Sequence, residues 1–200
     1  MYWKNEKGEI IKNLRNLKTQ VEQNGDELLF AMNGGMFMEN FSPLGLYVEN
    51  GKLLRRLNTA DAKGNFYLKP NGVFYITTDT HAVVVKTSDF QRDSTIVYAT
   101  QSGPLLLIDG KIHEAFQQES TNLNIRNGVG ILPDGKVLFA ISKKEINFYN
   151  FALFFQKMGC KNALYLDGFV SRAYFAEKGF SHHTDGNFGV MIGVSKARLK

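Results

Sequence analysis

At Ala163-Leu164-Tyr165-Leu166-Asp167-Gly168-Phe169-Val170-Ser171, four apolar residues run without alternation into an acid, a glycine and, four positions after the acid, a serine. A short apolar run with neither a period of two nor one of 3.6 reads as a strand buried on both faces, and the Asp-Gly pair that ends it favours a strand over a helix. Such a strand delivers Asp167 to the rim of a sheet. The competing reading is a plain turn, because Asp-Gly is a common hairpin signal and recurs at Asp109-Gly110 and Asp134-Gly135. Those two pairs lie between strand-like runs, as hairpins do. Asp167 instead follows a helix and a buried strand, which favours a functional role, since sites gather at strand ends.

Working outward, Phe151, Phe154, Phe155 and Met158 keep helical spacing, with Asn147 as a cap and Gly159 as a stop. The expectation is a helix over 148–158 whose aromatic stripe is core. Phe188-Gly189-Val190-Met191-Ile192-Gly193-Val194 closes the sheet before a basic tail. On the other side, the segment from Asn124 to Gly130 leads into a strand at Ile131-Leu132, and Pro133-Asp134-Gly135 turns it into Val137–Ile141. Arg126 sits in that segment beside small and amide residues. It reads equally as a fork aimed at a phosphate or carboxylate and as an exposed strand-end charge.

Further back, Ile96–Thr100 and Leu105–Ile108 are strand-like runs separated by Gln101-Ser102-Gly103-Pro104, which argues for a bulge or bend at a sheet edge. Glu49-Asn50-Gly51 signals a hairpin between Leu44–Val48 and Lys52–Arg55, and Pro70-Asn71-Gly72 signals another between Asn65–Leu68 and Val73–Ile76. Val83-Val84-Val85 adds a strand. At the start, Ile10, Leu14, Leu17 and Val21 predict an amphipathic helix from about 10 to 23. Leu28–Met32 then predicts a buried strand that runs into Asn33-Gly34-Gly35. Two glycines there free the backbone for positive φ and close approach to a ligand, while a tight turn explains them equally well.

The expected fold is therefore α+β, a single domain over 1–200 in which a mixed, largely antiparallel sheet packs with two main helices. The 200 residues are 44% hydrophobic, enough for one sizeable core, and sixteen Phe, eight Tyr and nineteen Gly describe a strand-rich chain with many turns. The net charge of +5 favours anionic partners, including phosphorylated ones. Its lysines are scattered, and no basic run interleaved with aromatics marks a nucleic-acid surface, so no nucleic-acid partner is expected. Cys160 is the lone cysteine, expected as a buried thiol. No leader begins the chain and no apolar run approaches membrane-spanning length, so a soluble protein without a membrane span is expected, export through an already removed signal remaining open.

Other chemistry is poorly supported. His182-His183 with Asp185 could ligate a metal, but adjacent histidines point apart on an extended chain, so an exposed loop is the better reading. No nucleophile elbow, lysine-bearing phosphate loop or dinucleotide fingerprint is present, and no cofactor or metal is expected.

In this order, Asn33-Gly34-Gly35-Met36-Phe37, Gln101-Ser102-Gly103-Pro104, Arg126-Asn127-Gly128-Val129-Gly130 and Leu166-Asp167-Gly168-Phe169-Val170-Ser171 resemble the phosphodiester glycosidase family, in its bacterial branch. The match covers about Leu29 to Val194. It departs at Phe169, where many relatives carry a second glycine, and in lacking an N-terminal strand that usually precedes the first helix. The resemblance implies hydrolysis of a bond between a sugar and a phosphodiester oxygen, on a small-molecule or glycan phosphodiester, and an extracytoplasmic location. It implies that Arg126 clamps the phosphate and that Asp167, its carboxylate facing Asn33 and Arg126, acts as general base or nucleophile. Asn33, Ser102 and Asn127 would orient the substrate, with Gly34, Gly35, Gly103, Gly168 and Ser171 completing the substrate-binding set. Glu39 and Asp185 are the candidates for a second carboxylate. Two rival readings are a non-catalytic carbohydrate- or cell-wall-binding module, which Phe169 favours, and a metal-dependent phosphodiesterase.

Overall fold

Asn13 starts the first helix: its side-chain oxygen accepts from the Asn16 backbone N–H at 2.8 Å, satisfying one of the donors that a helix start leaves free. The computed structural model, which describes residues 1–167, 170–178, 180–181 and 186–198, gives this helix, α1, as Leu14–Gln23. The expected start near residue 10 is too early. Ile10 instead bridges to Lys4, and Lys12 takes a left-handed backbone, φ 71°, that no helix includes. Leu14, Leu17 and Val21 bury one stripe of α1 in a cluster with Leu28, Ala31, Phe188 and Met191.

The chain then enters β1 (Asp26–Gly35). β2 (Tyr47–Glu49) and β3 (Lys52–Arg55) form the expected hairpin, with Asn50 at φ 50° and Gly51 at φ 74°, the left-handed pair that a two-residue turn needs. The expected strand at 65–68 is a short 3-10 turn, Asn65–Tyr67, that buries Phe66. Asn71 closes it by donating its Nδ2 to the Phe66 carbonyl at 2.8 Å, so no hairpin forms there. β4 (Gly72–Thr77) pairs instead with β5 (Ala82–Lys86) and β6 (Ile96–Ser102). After β6 come β7 (Leu105–Ile108), β8 (Lys111–Ile112), β9 (Asn127–Ile131), β10 (Val137–Ile141), α2 (Phe148–Lys157), β11 (Ala163–Tyr165), β12 (Ala173–Phe175), β13 (Phe180–Ser181) and β14 (Val190–Ala197).

These strands make three sheets, ordered β13-β12-β1-β14, β10-β9-β11-β7-β8 and β3-β2-β6-β4-β5. The described pairings are antiparallel throughout. The α+β class holds, with the sheet divided in three. Ser102-Gly103-Pro104 marks the passage from one sheet to the next rather than a bend at an edge, because β6 lies between β2 and β4 while β7 pairs with β8 and β11. A Cβ on Gly103 would stand 2.6 Å from the Asn71 Cβ and 2.9 Å from the Phe66 carbonyl oxygen, so the crossing is too tight for a side chain.

β11 lies between β7 and β9, and its three residues are fully buried. Its lack of alternation follows from two cores. Ala163 and Tyr165 join Phe148, Phe151 and Phe155, while Leu164 and Leu166 join Met32, Phe74 and Val129. The aromatic stripe of α2 is only half core. Phe151 and Phe155 are buried, but Phe154 and Met158 are 42% and 45% exposed. Cys160 is a buried free thiol, as expected.

Gly34 and Gly35 lie within β1, and neither has the positive φ expected of a turn or strained loop. Glycine is needed there for packing. A Cβ on Gly34 would fall 2.5 Å from Ile192 Cγ1 on β14, and one on Gly35 would fall 2.6 Å from the Thr100 hydroxyl on β6. Gly34→Ala is expected to destabilise the domain by about 1–3 kcal/mol through overpacking, read as a lower denaturant midpoint at unchanged slope. An unchanged midpoint would show that Ile192 moves aside without cost.

Candidate functional site

Asn33, at the end of β1, is the centre of a buried polar cluster. Its Nδ2 donates to Asp167 Oδ2 and, at 2.7 Å, to the Val170 carbonyl. Its Oδ1 accepts from the Arg172 backbone N–H at 2.8 Å and from Asn127 Nδ2 at 3.1 Å. Asn127 Nδ2 also donates to the Asn33 carbonyl at 2.7 Å, and the Ser171 hydroxyl lies 3.4 Å from Asn127 Oδ1. Asn33, Asn127 and Ser171 are buried, and Asp167 is 5% exposed. A buried carboxylate and three buried polar side chains are stable only when their hydrogen bonds are made, and here each bonds to another.

The backbone sets these positions. Leu166 N–H donates to the Asn127 carbonyl at 3.2 Å, extending the β11–β9 ladder to the residue before Asp167. The Ser102 hydroxyl donates to the Leu166 carbonyl at 2.9 Å, fastening the next peptide to the end of β6. Three strands and the turn between sheets thus fix where the Asp167 backbone leaves the core. Of the residues expected to form the site, Asn33, Ser102, Asn127, Asp167 and Ser171 come together. Gly34 and Gly35 adjoin Asn33 in the strand, and Gly103 lies in the sheet crossing. Gly168 lies outside the described residues, as do Phe169, His182, His183 and Asp185. Among the described residues, no group of three His, Cys, Asp or Glu side chains gathers where a metal could bind.

Arg126 occupies a different setting from either of its sequence readings. It is fully buried. Nε donates to the Ile146 carbonyl at 2.8 Å, one terminal nitrogen to the Asn122 carbonyl at 2.9 Å and to its Oδ1 at 3.2 Å, and the other to the Tyr165 hydroxyl at 3.3 Å. The guanidinium lies 3.7 Å from the centre of the Phe148 ring, which meets Tyr165 edge-on. Asn147 places Phe148 by capping α2 through the Asn150 N–H at 2.9 Å. Burial pulls the Arg126 pKa below its ordinary value, and Tyr165 partly offsets this.

Tyr165 connects the arginine to the acid. It stands two residues before Asp167, and it feels both the Arg126 charge and the Asp167 carboxylate. Burial pushes its phenol up to about 12; Arg126 acts against that rise, and Asp167 adds to it. A pKa raised above the ordinary value near 10 favours folding while the phenol is protonated, and that contribution is lost as pH rises through 12. Wild-type protein is therefore expected to lose stability between pH 10 and 12 more steeply than Tyr165→Phe, measured by denaturant unfolding across that range. Parallel curves would remove Tyr165 as the cause. The buried Tyr47, also raised by burial, contributes equally to both proteins.

Tyr165 and Arg172 are site neighbours that the sequence reading passed over. In the sequence Tyr165 is one member of an apolar run, although a residue two before the acid shares its side of the strand. Arg172 is half-buried, and its backbone N–H fixes the Asn33 amide while its guanidinium donates to the Ser171 carbonyl at 3.0 Å.

A family model described as phosphodiester glycosidase matches residues 26–195. An uncharacterized Escherichia coli (strain K12) protein, YigE, is 39% identical over 175 residues, covering 87% of this chain and 68% of that protein. The catalytic domain of zebrafish N-acetylglucosamine-1-phosphodiester alpha-N-acetylglucosaminidase, in a structure auto-inhibited by its pro-peptide, superposes with a TM-score of 0.59 at 19% identity, covering 92% of this chain and 65% of that one. A hypothetical protein from Synechocystis superposes with a TM-score of 0.53 at 14% identity, covering 92% of this chain and 54% of that one. The chain thus spans under two thirds of both solved structures.

Proposed function

Because the chain belongs to the phosphodiester glycosidase family, we propose that it hydrolyses the bond between a sugar and a phosphodiester oxygen, with Asp167 as general base or nucleophile. The observation that carries this reading is the hydrogen bond from Asn33 Nδ2 to Asp167 Oδ2. A donor N–H stabilises the ionised form of a carboxylate, as a base or nucleophile requires.

The Asp167 carboxylate faces the anomeric carbon in this scheme. It either removes a proton from the attacking water or bonds to that carbon directly, in which case water later cleaves the glycosyl ester. The bond from the anomeric carbon to the phosphate oxygen breaks, and the phosphomonoester leaves with the electron pair. Phosphate is a good leaving group, so one carboxylate serves without a strong general acid. Asn127, Ser102 and Ser171 act in this scheme mainly by positioning, since their described hydrogen bonds hold Asn33, the Leu166 carbonyl and each other. Arg126 acts in the same way through Tyr165; clamping phosphate itself would require the guanidinium to give up Asn122 and Ile146.

The test is a screen of glycosyl phosphodiesters for release of a free reducing sugar together with a phosphomonoester. Release of both supports the reading. Saturable binding without turnover would instead establish the binding module that Phe169 favours, and activity abolished by chelator would establish the metal-dependent phosphodiesterase.

A further inference from the structure

The third sheet has an exposed edge strand. All four residues of β3 are exposed, and its last two, with the segment 56–60 and Leu44, line a cleft of about 680 Å³. Its lining holds two arginines, Arg55 and Arg56, and no carboxylate. Among the described residues, neither arginine forms an ion pair. Arg55 donates to the thioether sulfur of Met38 at 3.1 Å, a weak acceptor for a guanidinium. Glu39, next to Met38, makes no ion pair with it among those residues.

The wall of the cleft is fixed. Asn58 N–H donates to Gln101 Oε1 at 2.9 Å, Gln101 Nε2 returns a bond to the Asn58 carbonyl at 2.7 Å, and Asn58 Nδ2 donates to the Leu44 carbonyl at 3.0 Å. Leu44 N–H in turn donates to the Met36 carbonyl at 2.9 Å. Gln101 directly precedes Ser102, and Met36 and Met38 belong to the segment that leaves Asn33-Gly34-Gly35. The cleft is therefore built on the same two segments as the polar cluster around Asp167.

We propose that this cleft is an anion subsite in which Arg55 and Arg56 bind a phosphate group on the leaving part of the substrate. Two exposed guanidinium forks without carboxylate partners fit the charge and the bidentate geometry of phosphate. Met38 and Leu54, 40% and 45% exposed, offer apolar surface beside them for the carbon skeleton that carries it. The existence of the subsite stands on this geometry; its place in the reaction rests on the phosphodiester glycosidase reading.

The experiment titrates inorganic phosphate and, separately, glycerol 3-phosphate into the full chain, following the arginine Nε–H signals by NMR and affinity by calorimetry. Saturable shifts at Arg55 and Arg56 are expected, with affinity reduced about tenfold or more in the Arg55→Ala/Arg56→Ala double variant, the scale of one lost charge-assisted contact. Absence of saturable shifts at the two arginines would overturn the subsite. An equal loss of affinity in a Lys52→Ala/Lys63→Ala control would also overturn it, by showing generic charge attraction. If wild-type protein hydrolyses glycosyl phosphodiesters, the double arginine variant is expected to lose activity through KM rather than kcat. If it hydrolyses none while the arginine shifts persist, the glycosidase reading fails and the subsite stands.

Discussion

Asp167→Asn is expected to retain a stability within about 1 kcal/mol of wild type and to lose on the order of a hundredfold or more in turnover of a glycosyl phosphodiester, the scale of a positioned base. The substitution keeps the shape of the side chain. Its amide oxygen can still accept from Asn33 Nδ2, so the cluster joining β1, β9 and the end of β11 keeps its central bond. What is lost is the charge, and with it the capacity to take a proton or attack an anomeric carbon. Thermal unfolding and release of reducing sugar, measured on the same preparation, separate the two effects. A variant that unfolds early would mark Asp167 as a structural acid. A stable and fully active variant would return Asp167-Gly168 to a turn, where Asn serves as well as Asp.

Arg126→Ala carries the largest expected effect on stability, about 3–5 kcal/mol, from the combined loss of a large buried side chain and of the donors that satisfy buried carbonyls. The guanidinium stacks on the Phe148 ring beside Tyr165, and it bonds to Ile146, Asn122 and the Tyr165 hydroxyl. Arg126→Met separates volume from charge, since an apolar side chain of similar length restores packing and leaves no isolated ion behind. It is expected to recover part of the loss, and equilibrium denaturation of both variants checks this. A loss below about 1 kcal/mol in Arg126→Ala would show that the surroundings collapse around the gap or admit water without penalty.

The contrast between these residues shows what could be read before the structure. The place of Asp167 was readable because a short apolar run ending in Asp-Gly after a helix favours a buried strand over a plain hairpin turn, and the Asn147 cap of α2 rests on a local hydrogen bond that the residue type announces, whereas the equivalent signal of Asn13 before α1 was outweighed by the apolar spacing that began at Ile10. Arg126 was not readable. Whether an arginine at a strand end faces solvent or a ring depends on Phe148 and Tyr165, which are 22 and 39 residues away and carry no mark of the contact. Gly34 and Gly35 misled for a related reason. Glycine serves both unusual dihedrals and close approach, and only the neighbouring Ile192 and Thr100 show which is at work. The segment 65–68 looked like a strand because aromatic residues favour strands, but its aromatic side chain Phe66 is buried from a 3-10 turn, a case of packing overriding local preference.

The position of β1 has a consequence for synthesis on the ribosome. Its two neighbours in the sheet are β12 and β14, and the pairing Asp26↔Ala197 joins residues from opposite ends of the chain. As the polypeptide emerges, Asp26–Gly35 leaves the ribosome well before its partners, and both of its edges stay unpaired until residues 173–197 follow. An apolar strand with two open edges is a template for pairing with other chains. The acidic Asp26 and Glu27 at one end and the consecutive glycines at the other limit that hazard, since charge and glycine both disfavour intermolecular strand pairing. Asn33 cannot hold Asp167 until the last third of the chain has folded back onto the first, so the competence of the site reports on completion of the whole domain.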